Sequence, residues 1–264
     1  MKRVMWWLVG SIAAILFIWG ASHELINRQR LQAVTPQHNP TATVFVGGYG
    51  STPHAFDRMS MQWEAAGIAK RAAVIQVDHN GGMHVTGQQT WQDNPIVQVA
   101  FADNKDPRVQ IKAFPKVMHW LLVHQHVTHI NLVTHSMGGG VAYSYLVNNQ
   151  QQTQPQVNKW VAIASPFERL NRPEAFVKTY NRMLSRADQL PADLKIMTVG
   201  GNVWSTGTDT EVSVKGVQAL RPIVTPHIAH FEEHILWGSP LTVQHSALRT
   251  NPEVTWRVAK FLFE

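Results

Sequence analysis

"NLVTHSMGGG", residues 131–140, is the stretch on which the fold turns. The β-prone residues Ile130, Leu132 and Val133 run up to Thr134, and the helix-forming "VAYSYLV" (141–147) follows three glycines. Ser136 stands between them, among residues small enough for a very tight turn. A serine at a sharp strand-to-helix break reads as a nucleophile elbow. Such a turn strains the serine backbone and needs little bulk two residues to either side. Thr134, Ser136 and Gly138 follow that spacing, with threonine in the first small position. The competing reading is a plain glycine-rich connection, and the rest of the chain must decide.

Working outward, strands alternate with helical stretches from Thr41 onward. "TATVFVGG" (41–48), "RAAVIQV" (71–77), "KWVAIASPF" (159–167) and "DLKIMTVGG" (193–201) read as strands. "PHAFDRMSMQWEAAG" (53–67) reads as a helix with Pro53 in its first turn, and "FPKVMHWLLVHQH" (114–126) as an amphipathic helix. "DHNGGMHVTG" (78–87) predicts a hairpin around Asn80-Gly81. "NPEVTWRVAKFLF" (251–263) predicts a closing helix capped by Asn251 with Pro252 in its first turn. This alternation implies a mostly parallel sheet with helices on both faces, and ligand sites at the carboxyl ends of the strands. The polar "NNQQQTQPQ" (148–156) reads as a loop, and 168–191 is longer than one crossover needs, so part of it is a candidate lid.

A nucleophilic serine needs a base and an orienting acid, in the order serine, acid, histidine for this strand–helix arrangement. The acid belongs after the strand ending near Gly201, where "GNVWSTGTDTEVSV" (201–214) supplies Asp209. Glu211 is the alternative two residues on, and Asp193 precedes the strand. The base belongs before the final helix, where "QHSALRTNPEV" (244–254) supplies His245, one of 14 histidines. Oxyanion donors would be the backbone amides of Tyr49, in "VFVGGYGST" (44–52), and of Met137, which follows the serine. The early loop matches neither glycine-rich nucleotide fingerprint, so nucleotide binding is disfavoured. "HFEEH" (230–234) matches the H-x-x-E-H pattern of zinc peptidases, but Pro226 and the turn at Gly238-Ser239-Pro240 bracket a segment too short for the required helix. No metal or other cofactor is expected. His119, His124, His126, His129 and His135 read as surface or packing residues.

Composition sets the outer bounds. A chain of 264 residues, 44% hydrophobic and 15% charged, buries one substantial core. The net charge of +6 is spread without a basic block, which argues against nucleic acid. There are no cysteines, which excludes disulfides, thiol catalysis and cysteine-ligated metals. "MKR" precedes the uncharged apolar run from Val4 to Ser22, about the length of a membrane-spanning helix. Basic residues in front imply a cytoplasmic N-terminus with the rest exported. Gly20-Ala21-Ser22 offers a signal-peptidase site, which would make the protein secreted, but the run exceeds a signal core and is expected to remain an anchor. The organisation read from sequence is an anchor at 1–22, a polar linker at 23–40 and one domain at 41–264.

With these residues in place, the sequence resembles the membrane-anchored α/β-hydrolases of Gram-positive bacteria grouped as cell-surface hydrolases. The resemblance rests on "VFVGGYGST", "NPIVQVAFADN" (94–104), "NLVTHSMGGG", "ASPF" (164–167), the loop around Asp209 and "HSALRTNPEV". That family usually has His-Gly where this chain has Gly47-Gly48, and glycine where it has Thr134. The resemblance implies an α/β-hydrolase fold with Ser136 as nucleophile, His245 as base and Asp209 as orienter. The function expected is cleavage of a small-molecule or lipid-like ester outside the cytoplasm. A non-catalytic envelope protein that uses the same scaffold for binding is the alternative. Oligomeric state is not legible.

Overall fold

Strand β1 (Ala42–Val46) has every residue buried, because it lies mid-sheet with helices above and below. It pairs in parallel with β4 (Pro95–Phe101) on one side and β5 (His129–His135) on the other. With β2 (Lys70–Val77), β3 (Met83–Thr86), β6 (Gln156–Ile163), β7 (Lys195–Val203) and β8 (His230–Gly238), the order is β3-β2-β4-β1-β5-β6-β7-β8. Among the described strands only β3 runs antiparallel, as the second arm of the hairpin at Asn80-Gly81. Asp78 closes that turn, its Oδ1 accepting from the amides of Asn80 and Gly82, each at 2.8 Å. The structure is a computed structural model that describes residues 25–88, 90–148, 153–167 and 174–264.

The period-two alternation of β1 sorts its side chains into two cores. Ala42, Val44 and Val46 pack with Phe114, Val117 and Leu121 of α3 (Pro107–Gln125) and Val141 and Leu146 of α4 (Gly138–Asn148). Phe45 faces the other way, toward Trp63 of α2 (Asp57–Ala65) and Phe263 of α9 (Pro252–Phe263). Phe45, Trp63 and Phe263 form a chain of ring contacts at 5.6 and 5.4 Å, and the Trp63 indole donates to the Thr255 carbonyl at 3.1 Å. Burying aromatic rings of this size contributes on the order of 2–3 kcal/mol each.

Several boundaries differ from the sequence reading. Helix α2 begins at Asp57, so Pro53 lies in the preceding turns rather than in the first helical turn. Helix α3 starts at Pro107, capped by the Asp106 carboxylate on the Arg108 amide at 2.9 Å, and runs on through Pro115. Strand β4, read only as part of the resemblance, is buried throughout. "HFEEH" lies in strand β8, not in a helix, which removes the geometry the zinc pattern requires. Of the candidate lid, 168–173 lie outside the described residues. The rest holds α5 (Glu174–Leu184) and a short 3-10 turn (Ala187–Gln189), and the short helices α6 (Val214–Gln218) and α7 (Arg221–Val224) follow β7. The far end of the candidate lid is tied down: the Tyr143 hydroxyl donates to the Met183 carbonyl at 2.6 Å, and Arg186 to the Val147 carbonyl at 3.1 Å.

The expected membrane span at 1–22 lies outside the described residues, and among those described no helix is long and apolar enough to cross a membrane. The stretch read as a linker is partly docked. Residues 25–32 are helical (α1), Leu31 and Val34 are buried in the same core as Phe263, and the Gln37 amide donates to the Phe263 carbonyl at 3.0 Å.

Candidate active site

The break after β5 has the backbone the sequence spacing calls for. Ser136 has φ 54°, a left-handed conformation that non-glycine residues adopt at a cost of roughly 1 kcal/mol or more. Its amide donates to the Ile163 carbonyl at the end of β6, at 2.9 Å, which pins the turn to the neighbouring strand. A side chain at Gly138 would place its Cβ 2.6 Å from the Val46 carbonyl oxygen, and one at Gly48 would come 2.7 Å from the Ser136 Cβ. So α4 leaves the sheet pressed against the end of β1, as a nucleophile elbow requires. Gly140 meets nothing within 4 Å, and its lack of a side chain is not needed for packing. Thr134 fits because its hydroxyl is satisfied inside the sheet, accepting from the Trp160 indole at 3.0 Å and donating to the Val161 carbonyl at 3.2 Å.

Asp209 and His245 meet beyond the ends of β7 and β8. The two residues are 0% and 3% exposed, and the His245 Nδ1 lies 2.9 Å from the Asp209 Oδ2. Oδ1 accepts from the amides of Glu211 at 2.9 Å and Val212 at 2.6 Å, so the carboxylate cannot turn away. The backbones are joined as well: the His245 amide donates to the Asp209 carbonyl at 2.9 Å. Glu211 is half exposed to solvent and sits on the other side of the ring, its carboxylate 3.6 Å from Nε2. A proton on Nδ1, directed at Asp209, leaves Nε2 with the lone pair.

His135, the residue before Ser136, touches the loop that carries His245. His135 is buried, its ring centroid 4.5 Å from that of His245, and its Nε2 lies 3.0 Å from the His245 carbonyl oxygen. Burial, and then the charges of His245 and Arg249, push the His135 imidazole well below the usual histidine range. The sequence alone reads His135 as a surface or packing residue. Its place next to the serine was the only signal available. The Ser136 hydroxyl itself makes no hydrogen bond among the described residues.

The early loop is fixed by its own contacts. The Gly50 amide donates to the Asn104 carbonyl at 2.8 Å, the Asn104 side-chain amide to the Ser51 carbonyl at 3.0 Å, and the Ser51 amide to the Gly48 carbonyl at 3.1 Å. Asn104 has no motif that would mark it in the sequence. The amides of Tyr49 and Met137 find no acceptor among the described residues, while the Tyr49 ring is exposed beneath Lys105, 5.8 Å away. In β8, His230 and His234 both contact Glu232, at 2.9 and 3.2 Å, and among the described residues no group of His, Asp and Glu side chains is placed to hold a metal ion.

A parallel sheet covered on both faces, with a strained serine after β5, an acid after β7 and a histidine after β8, defines the α/β-hydrolase class. The chain belongs to the α/β-hydrolase family of unknown function DUF915, whose model matches residues 32–264. Among solved structures it is similar to the lin2722 product of Listeria innocua, with 22% identity and a TM-score of 0.76 over 84% of this chain and 93% of that one. A Lactobacillus plantarum protein described as a cell surface hydrolase matches with 20% identity and a TM-score of 0.71, over 84% and 91% of the two chains. The Pyrococcus furiosus esterase Pf2001 matches more distantly, at 14% identity and a TM-score of 0.53, over 88% and 91%. At these identities the likeness is one of fold. No curated protein matches the chain.

Proposed function

We propose that this chain is a serine hydrolase acting on carboxylic esters outside the cytoplasm, anchored by its apolar N-terminal segment. The observation that carries the reading is the buried Asp209–His245 pair at 2.9 Å, held beside the turn on which Ser136 is strained. The Ser136 Oγ attacks the ester carbonyl carbon while His245 Nε2 takes its proton, and Asp209 holds the imidazole and stabilises the charge it gains. The oxyanion is met by the amides of Tyr49 and Met137, each such donor contributing about 3 kcal/mol. Collapse expels the alcohol, which leaves with the proton from His245. Water then gives a proton to His245, attacks the acyl carbon and frees the acid with Ser136 restored. Small-molecule or lipid-like esters fit this chemistry; it calls for no cofactor.

One observation favours a second reading, a scaffold that binds without catalysis: His245 Nε2 lies 3.6 Å from the Glu211 carboxylate and, among the described residues, makes no hydrogen bond to Ser136. A fluorophosphonate probe applied to the full chain in detergent separates the two. Labelling that disappears in Ser136→Ala and drops sharply in His245→Ala supports the hydrolase. A folded wild-type chain that never labels supports the scaffold.

A further inference from the structure

Large apolar side chains gather at one exposed corner, outside the site just described. Trp204 is 71% exposed, Trp237 66% and Leu241 86%. They come from adjacent ends of two strands and the short helix α8 (Pro240–Val243) that follows. The Trp204 amide donates to the Gly238 carbonyl at 2.9 Å, so the two backbones run side by side there. Trp204 has φ 45°, a left-handed conformation unusual for so large a residue. A cavity of about 780 Å³ opens beside them along the free edge of β8, and Ile26, Arg30 and Trp237 share its lining. Leu25 and Ile26 of α1 are themselves exposed, as are Arg28 and Arg30.

Soluble surfaces rarely gather this much apolar area without a partner. Tryptophan and leucine beside arginine fit the boundary between acyl chains and anionic headgroups, where rings bury their apolar body and guanidinium groups meet phosphate. The chain itself indicates which partner to expect. The apolar run Val4–Ser22 ends three residues before Leu25, so α1 is the described element next to the proposed span in the chain, and α1 shares the lining of the cavity with Trp237. We propose that Trp204, Trp237 and Leu241, with the outer face of α1, form a membrane-docking surface that lays the domain against the bilayer its anchor crosses. The inference rests on the anchor reading and not on the serine chemistry. It also sets the substrate's approach, because the Val203 amide donates to the Thr208 carbonyl at 2.9 Å, so Trp204 stands at the base of the loop that carries Asp209. Docking would bring that loop to the headgroup layer.

The absence of native cysteine makes the test direct, since a single introduced thiol reports only its own position. Full-length Trp204→Cys, Trp237→Cys and Leu241→Cys chains carry an environment-sensitive fluorophore. They are reconstituted in vesicles of phosphatidylcholine and phosphatidylglycerol that carry lipid-borne quenchers, one near the headgroups for the corner labels and one at mid-chain depth for the span. Met61→Cys and Val123→Cys, exposed on α2 and α3, are the controls, and Ile12→Cys reports the span. Quenching at 204, 237 and 241 several-fold above the controls is the expected result. Adding Trp237→Asp should cut it at 241 to the level of the controls, leaving quenching at 12 and fluorophosphonate labelling in detergent intact. Quenching at 12 without quenching at the corner overturns docking and leaves the anchor standing. No quenching at either overturns both. Shielding of the corner labels in lipid-free detergent that grows with protein concentration assigns the surface to a second copy and also overturns docking.

Discussion

The imidazole of His135 donates from Nε2 to the backbone carbonyl of His245 at 3.0 Å, with the two rings inclined at 52°. A carbonyl oxygen only accepts, so the proton on His135 sits on Nε2 and the ring is held neutral by its burial. The residue before Ser136 therefore grips the main chain of the loop that carries His245. A hydrogen bond here does more than stabilise the fold: it sets the separation of two groups that the proposed reaction brings together.

Replacing His135 by Phe keeps the ring volume and removes that grip. In the proposed enzyme kcat should fall by roughly tenfold, the worth of one buried hydrogen bond, with KM little changed. Steady-state hydrolysis of a chromogenic ester measures both.

The same residue sets a pH dependence of stability. Its folded pKa is depressed, so as pH falls below about 6.5 the unfolded chain takes up a proton that the folded chain refuses, and stability falls. Above that pH both states are neutral and the residue contributes no slope. Urea unfolding at pH 7 and pH 5 should show a loss that is smaller in His135→Phe, by at most about 1.4 kcal/mol per pH unit.

Asp209 and Glu211 stand on opposite sides of one imidazole, and only Asp209 is buried and held by two amides. Asp209→Asn is expected to cost roughly 10⁴-fold in kcat, as loss of the orienting acid does in serine hydrolases. Glu211→Gln removes an exposed contact worth at most about 1 kcal/mol, so activity should stay within about fivefold. Reversed outcomes would reassign the orienting role to Glu211.

Gly138 and Gly140 look alike in sequence and differ in space. Gly138→Ala forces its Cβ into the Val46 and Gly47 carbonyls and should destabilise by about 1–3 kcal/mol while displacing the oxyanion loop. Gly140→Ala meets open space on a helix and should gain about 0.5–1 kcal/mol. Thermal melts of the two variants make the comparison.

Ser136 carries its strain for position rather than stability. Ser136→Gly relieves φ 54° and should raise Tm by about 2–4 °C over Ser136→Ala, both variants being inactive. Equal melting temperatures would mean that the turn stores no strain.

The tight turn at Ser136 was readable because its signal is local: one serine, small neighbours and a change of period from strand to helix within ten residues. The chain order expected of serine, acid and histidine also pointed to Asp209 and His245, which lie 36 residues apart and are in contact in the fold. What escaped was non-local or masked by a stronger rule. The helix was read only over 114–126, yet α3 begins at Pro107, because Asp106 and Pro107 make a complete N-terminus, and it runs through Pro115. Strand β4 lies between β2 and β1 and shows no polar alternation to mark it as a strand. The polar look of 23–40 hid Leu31 and Val34, which are apolar singly but pack against the last helix. The grip of His135 on His245 spans 110 residues and no spacing rule reaches that far.

The hydrogen bond from Gln37 to Phe263 also bears on how the chain can be rewired. It holds the lead into β1 beside the end of α9, so a short glycine-rich bridge would close the domain into a ring. New ends cut at the Asn80-Gly81 hairpin would then open at the β3 edge, across the full width of the sheet from β8. A circular permutant of this design would keep every strand neighbour while moving both ends of the chain away from the corner that carries Trp237.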